Sequence, residues 1–180
     1  MPSDNTPGIV PIAIELSAAT WVVAARLPGR DKCRMFRMEA GDTNALAGVL
    51  DEIGARATPG GTVAVCFEAG RDGFWLHRWL TARGVAAHVV EPASILVNRR
   101  ARRAKTDRLD AEGLVRVLAA WLAGDAGICR MVQVPTPGEE DAKRTHRERE
   151  HLVQERTRLE NRILALLATQ GVRRRPSLRN

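Results

Sequence analysis

Four carboxylates stand out by type and by place. Asp107 and Asp110 lie three residues apart at the start of a stretch whose apolar residues, Ala111, Leu114, Val115, Leu118, Trp121 and Leu122, recur at helical spacing. Counting four back from Ala111 and Leu114 reaches Asp107 and Asp110, so both acids continue the apolar stripe while Arg108, Glu112 and Arg116 take the other face. A carboxylate aimed at a core is costly unless its charge is compensated, and a bound cation is the usual compensation. By themselves the two aspartates need no metal, because Asp107 is a good N-cap and Asp110 favours the helix dipole. Glu15 and Glu68 extend the pattern, each closing a short apolar run rich in β-branched residues. Together the four make an all-oxygen donor set suited to Mg²⁺ or Mn²⁺. Two such ions about 4 Å apart can clamp the attacking and leaving oxygens of a phosphodiester exchange.

The elements that would position these acids follow from the hydrophobic pattern. Ile9 to Glu15 reads as a buried strand, Thr20 to Leu27 as a second ending at the Pro28-Gly29 turn, and Lys32 to Met38 as a third. Asp42 or Thr43 caps a helix to about Arg56, with Leu46, Val49, Leu50 and Ile53 on its apolar face. A fourth strand, Thr62 to Phe67, ends on Glu68; a helix from about Arg71 to Arg83 presents Phe74, Trp75, Leu76, Trp79 and Leu80; Val85 to Val90 is a fifth strand. Right-handed crossovers after strands three and four give a mixed five-stranded sheet in the order 3-2-1-4-5, the α/β RNase H-like architecture with flanking helices. The first and fourth strands are then neighbours, and Glu15 and Glu68 face each other near their carboxyl ends. The aspartate helix runs from Asp107 to about Ala123, and an irregular connection from Gly124 to Val134 follows.

At Thr136-Pro137-Gly138-Glu139 a capping-box pattern with proline at the first helical position opens a long charged helix to about Gln170. Leu152, Leu159 and Leu166, with Ile163 between them, form a two-heptad apolar seam. The seam fits helix pairing in a homo-oligomer, as a short coiled coil, and equally fits packing on its own domain or on a C-terminal domain outside this sequence. The expected division is an α/β domain over 8–134, the long helix over 135–171 and a basic tail over 172–180.

Composition bounds the class. With 180 residues, 44% of them hydrophobic and 27% charged, the chain is an ordinary globular protein with room for one well-formed core. No apolar run is long enough to span a bilayer and the first residues carry no secretory signal, so no membrane partner is expected and the cytoplasm is the expected location. Cys33, Cys66 and Cys129 are odd in number and lack metal-ligand spacing, which argues against disulfides and structural zinc. The net charge is +7, and the cations are arginines except at positions 32, 105 and 143, which favours a polyanionic partner. Five of those cations, Arg99, Arg100, Arg102, Arg103 and Lys105, fall in one seven-residue run just before Asp107, where they would hold phosphates beside the acids or form a solvated basic loop. His77, His88, His146 and His151 form no ligand set, Trp75 and Trp79 read as core, and the glycines form no phosphate-cradling loop.

The stretches IAIELSAATWVVA, CFEAGRDGFWLHRWLTARG and RRARRAKTDRLDAEGL, followed by the charged helix, resemble the DEDD-type bacterial insertion-sequence transposases of the insertion sequence 110 family over roughly residues 9 to 170. That resemblance implies a RuvC-like domain acting on DNA with Mg²⁺ or Mn²⁺, with Glu68, Asp107 and Asp110 matching the family's later acids. It also implies a DNA recombinase in which this chain supplies the acidic half of a composite site, beside a C-terminal domain carrying a serine nucleophile and with a guide RNA as partner. The family's first acid is normally aspartate, whereas Glu15 stands here, one methylene longer. Ser177 has no motif supporting a nucleophilic role. Two other readings stay open: a non-catalytic nucleic-acid-binding remnant of a truncated transposase, and a stand-alone RuvC-like resolvase or nuclease.

Overall fold

Strand β1 (Ile9–Leu16) is buried along most of its length, because its apolar run is sandwiched between two helical layers. The computed structural model describes residues 8–57, 61–70, 73–95 and 106–173. β1 pairs antiparallel with β2 (Thr20–Ala25), which pairs antiparallel with β3 (Arg34–Glu39). On its other side β1 pairs parallel with β4 (Thr62–Glu68), and β4 pairs parallel with β5 (Ala86–Val90). The resulting order β3-β2-β1-β4-β5 is the RNase H-like arrangement read from the sequence.

One face of the sheet packs on α1 (Thr43–Gly54) and α2 (Gly73–Ala82), burying Ile12, Ile14, Trp21, Val65 and Phe67 against Leu46, Leu50, Ile53, Leu76 and Leu80. Asp42 caps α1 by accepting from the Ala45 amide at 2.9 Å. On α2 the deep contacts come from Leu76 and Leu80, one turn apart, whereas Trp75 is 39% exposed and makes a tilted ring contact with Trp21 of the core, 6.0 Å between centroids. Trp79 is half-buried under the Arg83 guanidinium. The expectation that both tryptophans are core residues therefore holds in part.

The opposite face carries Ala13, Val22, Ala24, Ala64, Cys66 and Val90, small residues that let α3 (Asp107–Leu122) lie close on the sheet through Ala111, Leu114, Val115 and Leu118. The Cys66 thiol donates to the Leu114 carbonyl at 3.6 Å. Full burial, aided by nearby Cys129 and Glu68, pushes that thiol far above its ordinary value, so it stays protonated and inert. The segment after α3 is more ordered than the irregular connection expected from sequence. Met131 bridges Val90 antiparallel, Val132 donates to the Val89 carbonyl at 2.7 Å, and Glu91 donates to the Arg130 carbonyl at 2.9 Å, which covers this end of the β5 edge.

The chain divides into two compact units, 1–134 and 135–180. The second is dominated by α4 (Pro137–Thr169), 33 residues long and about 50 Å by helical rise. Thr136 and Glu139 form the expected capping box, with the Thr136 amide donating to Glu139 at 2.8 Å and the Glu139 amide to Thr136 at 3.3 Å. No described side chain of α4 is buried, and Leu152, Leu159, Ile163 and Leu166 are each between 44% and 61% exposed. No helix among the described residues is long and apolar enough to cross a membrane. The basic run Arg99 to Lys105, Ser177 and nearly all of the basic tail lie outside the described residues.

Candidate functional site

Strand register decides where the glutamates point. Ala13 of β1 lies opposite Cys66 of β4, and both belong to the α3 face. Glu15 and Glu68 are each two residues further along, and alternation therefore puts both on that same face, just past the last paired row. Glu15 and Glu68 also rim one cavity of about 350 Å³ with Leu16, Ser17, Ala69 and Gly70. The loop side of the cavity is fixed by Ser17, whose hydroxyl donates to the Thr20 carbonyl at 2.6 Å and accepts from the Thr20 amide at 3.0 Å.

The aspartates come from the helix that covers this face. Thr106, not Asp107, is the N-cap of α3, its hydroxyl accepting from the Leu109 amide at 3.3 Å. Asp107 and Asp110 occupy the first turn, one turn ahead of the buried Ala111 and Leu114. Asp110 is half-buried; Asp107 is exposed, and its carboxylate lies 3.9 Å from the Arg37 guanidinium. Arg37 arrives there by register: it pairs with Val22, which pairs with Glu15, so one row across three strands carries the glutamate and the arginine on the same face. Asp107 thus stands over the row that holds Glu15.

All four acids are oriented to one sheet face, but they do not form one cluster. The cavity between Glu15 and Glu68 is not lined by Asp107 or Asp110, and among the described residues no three His, Cys, Asp or Glu side chains converge closely enough to hold a metal ion. By chemistry the donor set fits a hard divalent cation, being carboxylate oxygen throughout. By placement it is a glutamate pair at the sheet and an aspartate pair on the helix. Arg37 was not singled out from sequence. The alternation of β3 was visible in the sequence, but the face that Arg37 takes and its row with Glu15 are set by the register of the two antiparallel pairings.

No solved structure matches the chain. A curated relative from Sinorhizobium fredii, named "Putative transposase y4rJ", is 45% identical over 170 residues, a stretch covering 92% of this chain and 43% of that relative. The chain therefore spans less than half the length of the relative it matches. A family model described as a transposase, the DEDD type of insertion sequence 110, matches residues 16–170, which include Glu68, Asp107, Asp110 and most of α4 and leave Glu15 one residue outside. On the strength of that match and that identity, the chain belongs to the DEDD transposase family of insertion sequence 110.

Proposed function

We propose that this chain supplies the acidic half of a composite transposase site, in which Glu15, Glu68, Asp107 and Asp110 hold Mg²⁺ or Mn²⁺ for cleavage and exchange of DNA strands. The observation that carries the reading is the common face: two glutamates at the carboxyl ends of adjacent central strands lie beneath a helix whose first turn holds two aspartates. When bound, the cations would supply charge stabilisation at the attacking and leaving oxygens of the phosphodiester. The protein's own part is to orient them. Glu15 and Glu68 are fixed by the sheet, Asp110 by the core-facing stripe of α3, and Asp107 can exchange its Arg37 partner for a metal or a phosphate. A serine nucleophile would come from another domain. The run Arg99, Arg100, Arg102, Arg103 and Lys105 would hold the DNA backbone or a guide RNA, and the exposed seam of α4 would join two copies. Titration of Mn²⁺ into the chain tests the reading: saturable binding is expected, weakened tenfold or more by Asp107→Asn/Asp110→Asn, and equal binding by both proteins overturns it.

The second reading, a nucleic-acid-binding module without catalysis, is favoured by one observation. Among the described residues the four carboxylates do not converge on an ion, and Glu15 stands where the resemblance implies an aspartate. A strand-exchange assay with the serine-bearing domain supplied separates the two, because a binding module stays inert even after Glu15→Asp.

A further inference from the structure

A second charged concavity lies at the other end of the sheet. Arg30, Lys32, Arg34 and Arg56 line a cavity of about 540 Å³ with Asp31 and Cys33, where the β2–β3 connection meets the end of α1. It is separated from the row of Glu15 and Val22 by the five residues from Val22 to Leu27, about 15 Å at the usual rise per residue. Its walls are set by backbone chemistry. Leu27 accepts the Arg30 amide at 3.2 Å across Pro28 and Gly29, and Gly29 has φ of +68°, so this is a proline-glycine turn of the kind that requires glycine at its third position. The turn delivers Arg30, Asp31 and Lys32 to the cavity in a fixed order.

The charges there are unevenly compensated. Glu52 on α1 holds Arg34 at 2.6 Å and Arg56 at 3.1 Å through the same carboxylate oxygen, so one acid is shared by two guanidiniums. Arg34 is further held over the Phe36 ring at 5.0 Å. Among the described residues no acid forms an ion pair with Arg30 or Lys32. Two arginines are thus pre-positioned with donors to spare beside two cations lacking an ionic partner, which is the arrangement that binds a phosphodiester in forked fashion.

We propose that this cavity binds the phosphate backbone of a nucleic acid and anchors it away from the carboxylates. The site recognises phosphate and sugar rather than bases, since its walls offer cations and no exposed aromatic platform. It goes beyond the metal reading and stands whether or not the acids bind an ion.

The test is fluorescence anisotropy of the full chain with 20-nucleotide single-stranded DNA, duplex DNA and RNA across a salt series. Arg30→Ala/Lys32→Ala should weaken binding about tenfold at low salt and lower the log–log salt slope by about 1 to 2, as expected for loss of one or two phosphate contacts. The loss should fall on the nucleic acid that occupies the site, which separates DNA from RNA as its source. Glu52→Gln, which frees Arg34 and Arg56, should tighten binding two- to fivefold, a change of sign that structural damage would not produce. A charge-matched control on α4, Arg158→Ala/Arg162→Ala, should lose no more than twofold. Wild-type affinity in Arg30→Ala/Lys32→Ala, or an equal loss in the α4 control, overturns the proposal.

Discussion

At the residue scale, the two aspartates of α3 differ in what holds them. Asp107 is 54% exposed and its contact with Arg37 is long, so the pair contributes little to stability. Arg37→Ala should change the unfolding free energy by less than about 0.5 kcal/mol in urea denaturation. The same change should tighten Mn²⁺ binding, since it removes the cation competing for Asp107. Unchanged or weaker Mn²⁺ affinity would count against Asp107 as a ligand. The histidines serve a different purpose. Burial lowers the affinity of His77 and His88 for protons below the ordinary value of 6.5, with His88 in a tilted ring contact with Trp121 at 4.8 Å between centroids. In the unfolded chain both therefore bind protons more readily than in the folded one, and stability is fully present above about pH 6.5 and falls as pH drops through the folded values. Thermal melts from pH 8 to 5 should show this decline, and His88→Gln should reduce it.

At the element scale, the sequence was most informative where burial is continuous. β1 and β4 were legible because apolar, β-branched runs that end on a carboxylate leave few other placements, and their adjacency followed from the handedness of the crossovers. The α3 stripe was legible because Ala111, Leu114, Val115 and Leu118 recur at helical spacing, and all four are buried. Removing one of them should be costly: Leu118→Ala is expected to destabilise unit 1–134 by about 3 kcal/mol in urea denaturation. The Met131 bridge to Val90 could not be read, since edge pairing of so short a segment rests on backbone hydrogen bonds that leave no side-chain period. Trp75 misled for a related reason: on a ten-residue helix Leu76 and Leu80 fill the deep positions, and the larger ring is left at the rim. On α4 the apolar seam was legible, and its exposure gives it a consequence. Under the proposed pairing of two copies through this seam, Leu159→Lys should reduce self-association in sedimentation velocity while leaving the helix content unchanged, and a wild type that stays monomeric or an unaltered association overturns that pairing.

At the scale of the whole molecule, the two proposed sites lie at opposite ends of one sheet. Acids gather at the carboxyl ends of β1 and β4, and a basic concavity sits at the opposite end of β2. Sequence reasoning located the acids because strand ends and helical stripes are local patterns. It missed both Arg37 and the basic concavity, which exist only once register and the meeting of β3 with α1 bring distant residues together. That the four carboxylates stand as two separate pairs is likewise a property of side-chain direction, which no spacing rule contains. The most direct measurement is cleavage of the protein backbone by Fe²⁺ and ascorbate, with the cuts mapped by mass spectrometry. The account predicts cuts near residues 15–17, 68–70 and 107–110, suppressed by excess Mg²⁺ and lost in Asp107→Asn/Asp110→Asn; cuts that avoid those three segments, or that Mg²⁺ does not suppress, would contradict it.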